Sequence, residues 1–112
     1  MSGKTYFNPE DLAKFGSIVD FQKSMGDEFF AYYNEVFKEG ALTEREKALI
    51  ALAVAHAYSC PYCIDAYSTT CLEKGADPEQ MMEAVHVAAA MKAGISLVAS
   101  TQMMNHVRKL SM

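Results

Sequence analysis

The chain has 112 residues, of which half are hydrophobic and about a fifth are charged, and its formal net charge is −4. This length fits one domain, and this composition excludes a disordered chain. The net negative charge and the scattered Lys and Arg residues argue against a surface for nucleic acid or for an anionic membrane.

We expect neither a targeting segment nor a membrane helix in this sequence. Residues 1–11 are polar and lack the apolar segment of a leader peptide. The longest unbroken apolar run, residues 48–55, is well short of the ~18 residues of a membrane helix. We therefore expect a cytoplasmic protein without a membrane span. In that compartment three cysteines indicate catalysis or metal binding rather than a disulfide framework.

The N-terminal third predicts two helices. Asn8-Pro9-Glu10-Asp11 is typical of a helix start, because Asn caps and Pro suits the first helical position. Gly26-Asp27 is expected to open a second helix that ends near Gly40. Its aromatic stripe is interpreted as core packing: Phe29, Phe30, Tyr33, Val36 and Phe37.

The remainder predicts four more helices, the first opened by a capping box at Thr43 and Glu46. Pro61 places Cys60 at the N-cap of the next helix, which continues to Gly75. Asp77-Pro78 opens another, and Gly94 is expected to separate it from a final helix at about residues 95–109. The prediction is an all-α bundle of about six helices, in one domain spanning residues 1–112. The helices from Thr43 onward are apolar around much of their circumference, which indicates self-association.

Cys60-Pro61-Tyr62-Cys63 carries the reactive residue types. A helix N-terminus stabilises a thiolate, and a second cysteine one turn away lies within reach of a disulfide. The favoured interpretation is therefore a redox dithiol, reoxidised by a peroxide or disulfide and reduced by an external dithiol. Two alternatives stay open: a metal site formed by His56, Cys60, Cys63 and Cys71, and inert buried cysteines. Cys71 itself is predicted to be a core residue.

A longer stretch, from Ala41-Leu42-Thr43-Glu44 through the Ala-rich helix to Cys60-Pro61-Tyr62-Cys63-Ile64-Asp65-Ala66-Tyr67, resembles the AhpD-like (alkylhydroperoxidase D/carboxymuconolactone decarboxylase) superfamily. The variant with His56 looks most like small peroxidase-like members associated with arsenosugar biosynthesis. The resemblance implies an all-α fold, a homotrimer or homohexamer, and a thiol peroxidase or disulfide reductase activity. It implies no metal or other cofactor.

The chain departs from the family pattern at two positions. The family's peroxidases carry a Glu twelve residues before the first Cys and a His four after the second; here these are Ala48 and Tyr67. Because a tyrosine hydroxyl is a poor base near neutral pH, we expect Tyr67 to orient or donate. His56, in the last turn before Cys60, is the expected proton acceptor, since histidine titrates near neutral pH.

The two lines of argument disagree about which cysteine attacks first. The helix-terminus argument favours attack by Cys60, whereas the resemblance implies that Cys63 attacks and Cys60 resolves; the expectation follows the resemblance. Two other functions remain: a binding module that holds a thiophilic ligand such as trivalent arsenic, and decarboxylase-type acid–base chemistry that needs no thiol.

Overall fold

The computed structural model describes residues 7–111, and these residues form helices and connecting loops without a strand. A 3-10 helix spans Pro9–Asp20. Four α-helices follow: α1, Lys23–Phe37; α2, Glu44–Ala57; α3, Pro61–Glu73; and α4, Pro78–Ser111. The all-α prediction is confirmed. Residues 1–6, on which much of the leader-peptide expectation rests, lie outside the described part.

Helix starts follow the local signals of the sequence. The Asn8 side chain accepts a hydrogen bond from the Glu10 amide at 3.1 Å. At α2 the Thr43 hydroxyl accepts from the Glu46 amide, and the Glu46 carboxylate accepts from the Thr43 amide, which completes the predicted capping box. Cys60 is the N-cap of α3, as predicted.

The expectation that Gly26 opens a helix is wrong. Helix α1 begins three residues earlier, after an N-cap at Gln22, and Gly26 is buried inside it. A Cβ at this position would lie 2.6 Å from Cγ1 of Val19 and 3.1 Å from its Cα. The lack of a side chain at Gly26 therefore allows α1 to pack closely on the 3-10 helix. That helix runs through Gly16 without a division.

The expectation that Gly94 divides the C-terminal region is also wrong. Helix α4 is 34 residues long and runs through Gly94, so residues 7–111 form five helical segments instead of about six. A single glycine inside a helix costs only about 1 kcal/mol relative to alanine. No proline follows Gly94, so the backbone hydrogen bonds of the helix can continue through it.

The buried centre lies where α2 packs against α3 and α4. Its fully buried members include Leu52 and Cys71, the latter with no exposed surface, which confirms the core prediction for Cys71. Small side chains at Ala48 and Ala76 complete this centre. They let the three helices approach closely, and this fixes α3 and its N-terminal cysteine against α2.

Helix α4 extends beyond this centre. Its large apolar side chains remain exposed through much of its length; they include Val87, Met91, Ile95, Leu97, Val98, Met103, Val107 and Leu110. The radius of gyration is 19.0 Å, against roughly 13 Å expected for a compact chain of this length. By length and composition alone, α4 is the one helix within residues 7–111 that would also suffice to cross a membrane, with a mean hydropathy of 1.3 over its 18-residue window.

Candidate active site at the Cys60–Cys63 dithiol

The junction between α2 and α3 places Cys60 at the start of α3. Ser59 takes a left-handed backbone conformation, with φ at 52°, and reverses the chain after the last turn of α2. The Cys60 amide then donates to the carbonyl oxygen of Ala55 at 2.9 Å. This bond ties the N-cap of α3 to the end of α2, so the position of the Cys60 sulfur is set by both helices.

The two sulfurs of the CxxC motif lie side by side. The Cys63 thiol and the Cys60 sulfur are 2.8 Å apart, and the Cys63 amide donates to the Cys60 sulfur at 3.4 Å. A disulfide bond measures about 2.04 Å, so oxidation requires the sulfurs to approach by only about 0.8 Å. The pair is arranged to open and close a disulfide with little movement of α3.

The two thiols have unequal acidity. The hydrogen bond from the Cys63 thiol, followed by that from the Cys63 amide, lowers the pKa of Cys60. Burial raises the pKa of Cys63 to about 11, with further contributions from its hydrogen bond to Cys60 and from the negative charge there. The hydrogen bond from the Cys63 amide acts on Cys60 alone. Cys60 is therefore the more acidic thiol of the pair, as the helix-terminus argument expects.

Two cavities border the dithiol in the described part of the chain. The first, of about 650 Å³, lies between α1 and α2; apart from the residues that it shares with the second cavity, its lining is apolar but for Lys47 and Tyr58. The Lys47 ammonium is engaged elsewhere, donating to the carbonyl oxygens of Val36 at 2.7 Å and Lys38 at 2.5 Å. It therefore caps the end of α1 and leaves the first cavity a predominantly apolar interior.

The second cavity, of about 420 Å³, lies between the 3-10 helix and α3. Its wall combines apolar residues such as Leu12 and Ile18 with the ion pair of Lys14 and Asp11, whose charged atoms are 3.1 Å apart. Four residues line both cavities: Tyr33, Cys60, Cys63 and Tyr67. The dithiol and two tyrosines thus form the partition between them.

Tyr33 was assigned to core packing from the sequence, and the structure adds it to the site. Burial raises the pKa of its hydroxyl, and the electrostatic interaction with Cys63 raises it further. The sequence marks Tyr33 only by its hydroxyl group in an otherwise Phe-rich stripe. No local pattern indicates that α1 places this residue beside the dithiol. Tyr67, predicted as a site residue, is held by stacking on Phe37, with ring centroids 5.3 Å apart and planes at 21°.

His56 lies apart from the cavity walls, which among the described residues do not include it. On a helix with 100° per residue it points about 140° away from Ala51, a residue of the first cavity. Its Nδ1 lies 2.9 Å from the Leu52 carbonyl oxygen. Since a carbonyl only accepts, Nδ1 carries the proton, and Nε2 is the basic atom of the neutral ring.

Comparison with known proteins identifies the family to which this fold belongs. The profile of the Carboxymuconolactone decarboxylase family matches residues 24–105. The chain belongs to the carboxymuconolactone decarboxylase family. A curated relative from Paracoccus denitrificans, described as uncharacterized protein 4 in cox locus, is 44% identical over 86 residues, which cover 77% of this chain and 78% of the relative.

Two solved structures share the fold of this carboxymuconolactone decarboxylase family member. A protein from Methanobacterium thermoautotrophicum superposes with a TM-score of 0.73 at 30% identity, covering 77% of this chain and 97% of its own. A carboxymuconolactone decarboxylase family protein from Legionella pneumophila, in its apo form, has a TM-score of 0.68 at 26% identity over 92% of each chain. The finer resemblance to arsenosugar-associated members stays a prediction.

The two positions at which this family member lacks the Glu and His of the resemblance meet in space. Ala48 is a fully buried member of the central cluster, and Tyr67 packs against the same cluster. A carboxylate and an imidazole at these positions would be neighbours, whereas here the pair is a methyl group and a phenol. The Glu–His relay that the resemblance implies cannot form from these two positions.

The remaining candidates for chemistry lie elsewhere. Cys71, one of the four residues weighed as a metal ligand set, is enclosed in the core and borders neither cavity within residues 7–111. In that range no group of three or more His, Cys, Asp or Glu side chains is placed to hold a metal ion. The reactive groups that the fold brings together are thus two sulfurs and two phenols.

Proposed function

We propose that this protein is a thiol-dependent peroxidase that reduces a peroxide with an apolar body through Cys60 and Cys63. The observation that carries the proposal is the Cys60 sulfur at the N-terminus of α3, with the Cys63 thiol 2.8 Å away and an apolar cavity leading to both. Family membership supports an enzymatic role of this general kind.

The reaction would proceed in three balanced steps. The Cys60 thiolate attacks one peroxide oxygen, the O–O bond breaks, and Cys60 becomes a sulfenic acid while the alkoxide takes a proton and leaves as an alcohol. The Cys63 thiol then attacks the Cys60 sulfur, which releases water and forms the disulfide. An external dithiol reduces this disulfide through a mixed disulfide and is itself oxidised to its disulfide.

Tyr33 and Tyr67 supply the hydroxyl groups of the partition, and we assign both to the peroxide step. Each lines both cavities together with the reacting sulfurs. A hydroxyl whose pKa is raised by burial, as in Tyr33, keeps its proton and donates a hydrogen bond to the oxygen that leaves. This contact stabilises the charge that develops on that oxygen. Tyr67 is held for the same role by its stacking on Phe37.

The role proposed for His56 is that of a proton acceptor which reaches the dithiol through water, with Nε2 as its basic atom. Its support is its position in the last turn of α2, where its backbone carbonyl accepts from the Ser59 amide at 3.2 Å. His56→Gln tests this. A shift in the pH dependence of Cys60 alkylation supports proton transfer, whereas an unchanged profile assigns His56 to the helix end alone.

Self-association completes the proposal. Soluble monomers rarely expose so many large apolar side chains along one helix as α4 does. Helix α4 supplies no residue to the wall of either cavity as described. Association through α4 would bury these side chains and leave the dithiol accessible. We propose a homo-oligomer, in line with the trimer or hexamer that the family resemblance implies.

The proposed activity is tested by counting thiols. Reduced protein is treated with cumene hydroperoxide, and the expected result is loss of two thiols per chain, restored by dithiothreitol. The variant Cys71→Ser is the control, because it keeps the dithiol and should lose the same two thiols. Conversion of substrate that persists in a Cys60→Ser/Cys63→Ser variant would refute the thiol mechanism and favour decarboxylase-type chemistry.

A further inference from the structure

The dithiol is accessible from two sides, and the reaction needs two ligands in succession at the same sulfurs. The first cavity approaches from α1 and α2, and the second from the 3-10 helix and α3. They differ in character, since the first is almost wholly apolar while the second has the Lys14–Asp11 ion pair in its wall. The proposed function uses the first cavity alone, so the second has no assigned ligand.

In a displacement at sulfur, the attacking atom, the sulfur and the leaving atom lie on one line. This requirement determines the direction from which each ligand approaches the dithiol. When Cys63 attacks the Cys60 sulfenic acid, the oxygen leaves along the sulfur–sulfur axis, beyond Cys60. The peroxide therefore reacts from the Cys60 end. A reductant that attacks Cys63 has to approach along the same axis from the opposite end.

The unequal thiols decide which sulfur the reductant attacks. In a disulfide the sulfur with the lower thiol pKa leaves faster. Hydrogen bonds to Cys60 lower its pKa, and burial raises that of Cys63. Attack on Cys63 thus releases Cys60 as the thiolate, which is the form that the next peroxide needs.

We propose that the second cavity, between the 3-10 helix and α3, is the binding site of the reducing dithiol, a low-molecular-weight compound with a polar end. This inference rests on the proposed peroxidase function. The cavity holds about 420 Å³, the size of a small-molecule site. Its apolar floor receives the carbon chain between the thiols, and the Lys14–Asp11 pair faces polar groups at the outer end. The new disulfide leaves by the same route, and the peroxide cavity stays free.

Two isoleucines provide a matched test, because each lines one cavity only and both are about half exposed: Ile50 at 51% in the first and Ile18 at 47% in the second. Tryptophan at either position fills its cavity. The two half-reactions are timed separately by quenching, alkylation and mass measurement. Cumene hydroperoxide oxidises the reduced protein, and dithiothreitol reduces the isolated disulfide form.

The expected result is a crossed pattern. Ile18→Trp slows reduction by about tenfold and leaves peroxide oxidation within about twofold, while Ile50→Trp does the reverse. Met25→Trp, at an exposed position that lines neither cavity as described, leaves both rates unchanged. Far-UV circular dichroism confirms the fold, and Leu12→Trp with Val54→Trp form a second pair if either isoleucine variant is unfolded.

The outcomes separate the two proposals. If the wild type is oxidised and reduced but a folded Ile18→Trp variant reduces at the wild-type rate, or slows both half-reactions alike, the second cavity is not the reductant site and the peroxidase proposal stands. If cumene hydroperoxide does not oxidise the wild-type dithiol, the peroxidase proposal fails, and the reductant site fails with it.

Discussion

The order of the two cysteines gives the sharpest prediction, because the helix geometry and the family resemblance disagree about it. The variant Cys63→Ser keeps the Cys60 sulfur at the N-cap and retains the backbone amide that donates to it at 3.4 Å. Its serine hydroxyl can replace the donating thiol. The variant Cys60→Ser removes that sulfur and leaves Cys63 half-buried. Comparing the peroxide reaction of these two single-cysteine sites isolates the effect of position.

The expected magnitude follows from the two acidities. The pKa of Cys63 is raised to about 11, and that of Cys60 is lowered below the ordinary 9.0. A gap of about two units makes the thiolate fraction near neutral pH about a hundredfold smaller at Cys63. The thiolate of Cys63 is the more basic and therefore the more nucleophilic, which offsets about eightfold of this difference in rate. Because Cys60→Ser also removes two of the causes that raise the pKa of Cys63, we expect Cys63→Ser to react faster than Cys60→Ser by up to about tenfold.

The assay traps the sulfenic acid with dimedone and follows the mass over time at several pH values. The rate of Cys63→Ser should rise with pH as Cys60 ionises and level off, with a midpoint below 9.0. In Cys60→Ser two causes of the raised pKa of Cys63 disappear, but burial, the largest, remains, so its rate should still rise above pH 9.0.

One result would refute this reasoning. If Cys60→Ser forms the dimedone adduct faster than Cys63→Ser, the reactive thiolate is Cys63, and its burial is outweighed by a base at the dithiol. The order implied by the family resemblance would then hold, despite the substitution of its Glu and His positions by Ala48 and Tyr67.

Two glycines and two exposed residues provide further tests. Gly26→Ala should lower the free energy of unfolding by about 1 kcal/mol in urea titrations, because a clash 2.6 Å from Val19 outweighs the gain in helix propensity. Gly94→Ala, with nothing within 4 Å, should raise it by about 1 kcal/mol; equal effects would contradict the assigned packing. Leu97→Asp should reduce the particle mass in light scattering, whereas Phe21→Asp, on a side chain exposed outside α4, should not. An unchanged mass for Leu97→Asp would place the interface elsewhere.

Sequence alone determined the features that depend on neighbours three or four residues away. The cap at Asn8, the box at Thr43 and the N-cap at Cys60 are all present as predicted, because each consists of one or two local hydrogen bonds between a side chain and a nearby amide. The same locality brings Cys63 one turn from Cys60. The dithiol at a helix start could therefore be read directly from Cys60-Pro61-Tyr62-Cys63.

The tertiary structure decided what meets that dithiol. Tyr33 lies 27 positions before Cys60 in the sequence, and it enters the site because the packing of α1 brings it to the wall that both cavities share with the dithiol. The packing of α1 on the 3-10 helix depends in the same way on the close approach of Gly26 to Val19. Periodicity identifies the face of a helix that is apolar, but the partner of that face is set by packing across the whole chain. For this reason the partition between two cavities, which lies among the 3-10 helix, α1, α2 and α3, could not be predicted from the sequence.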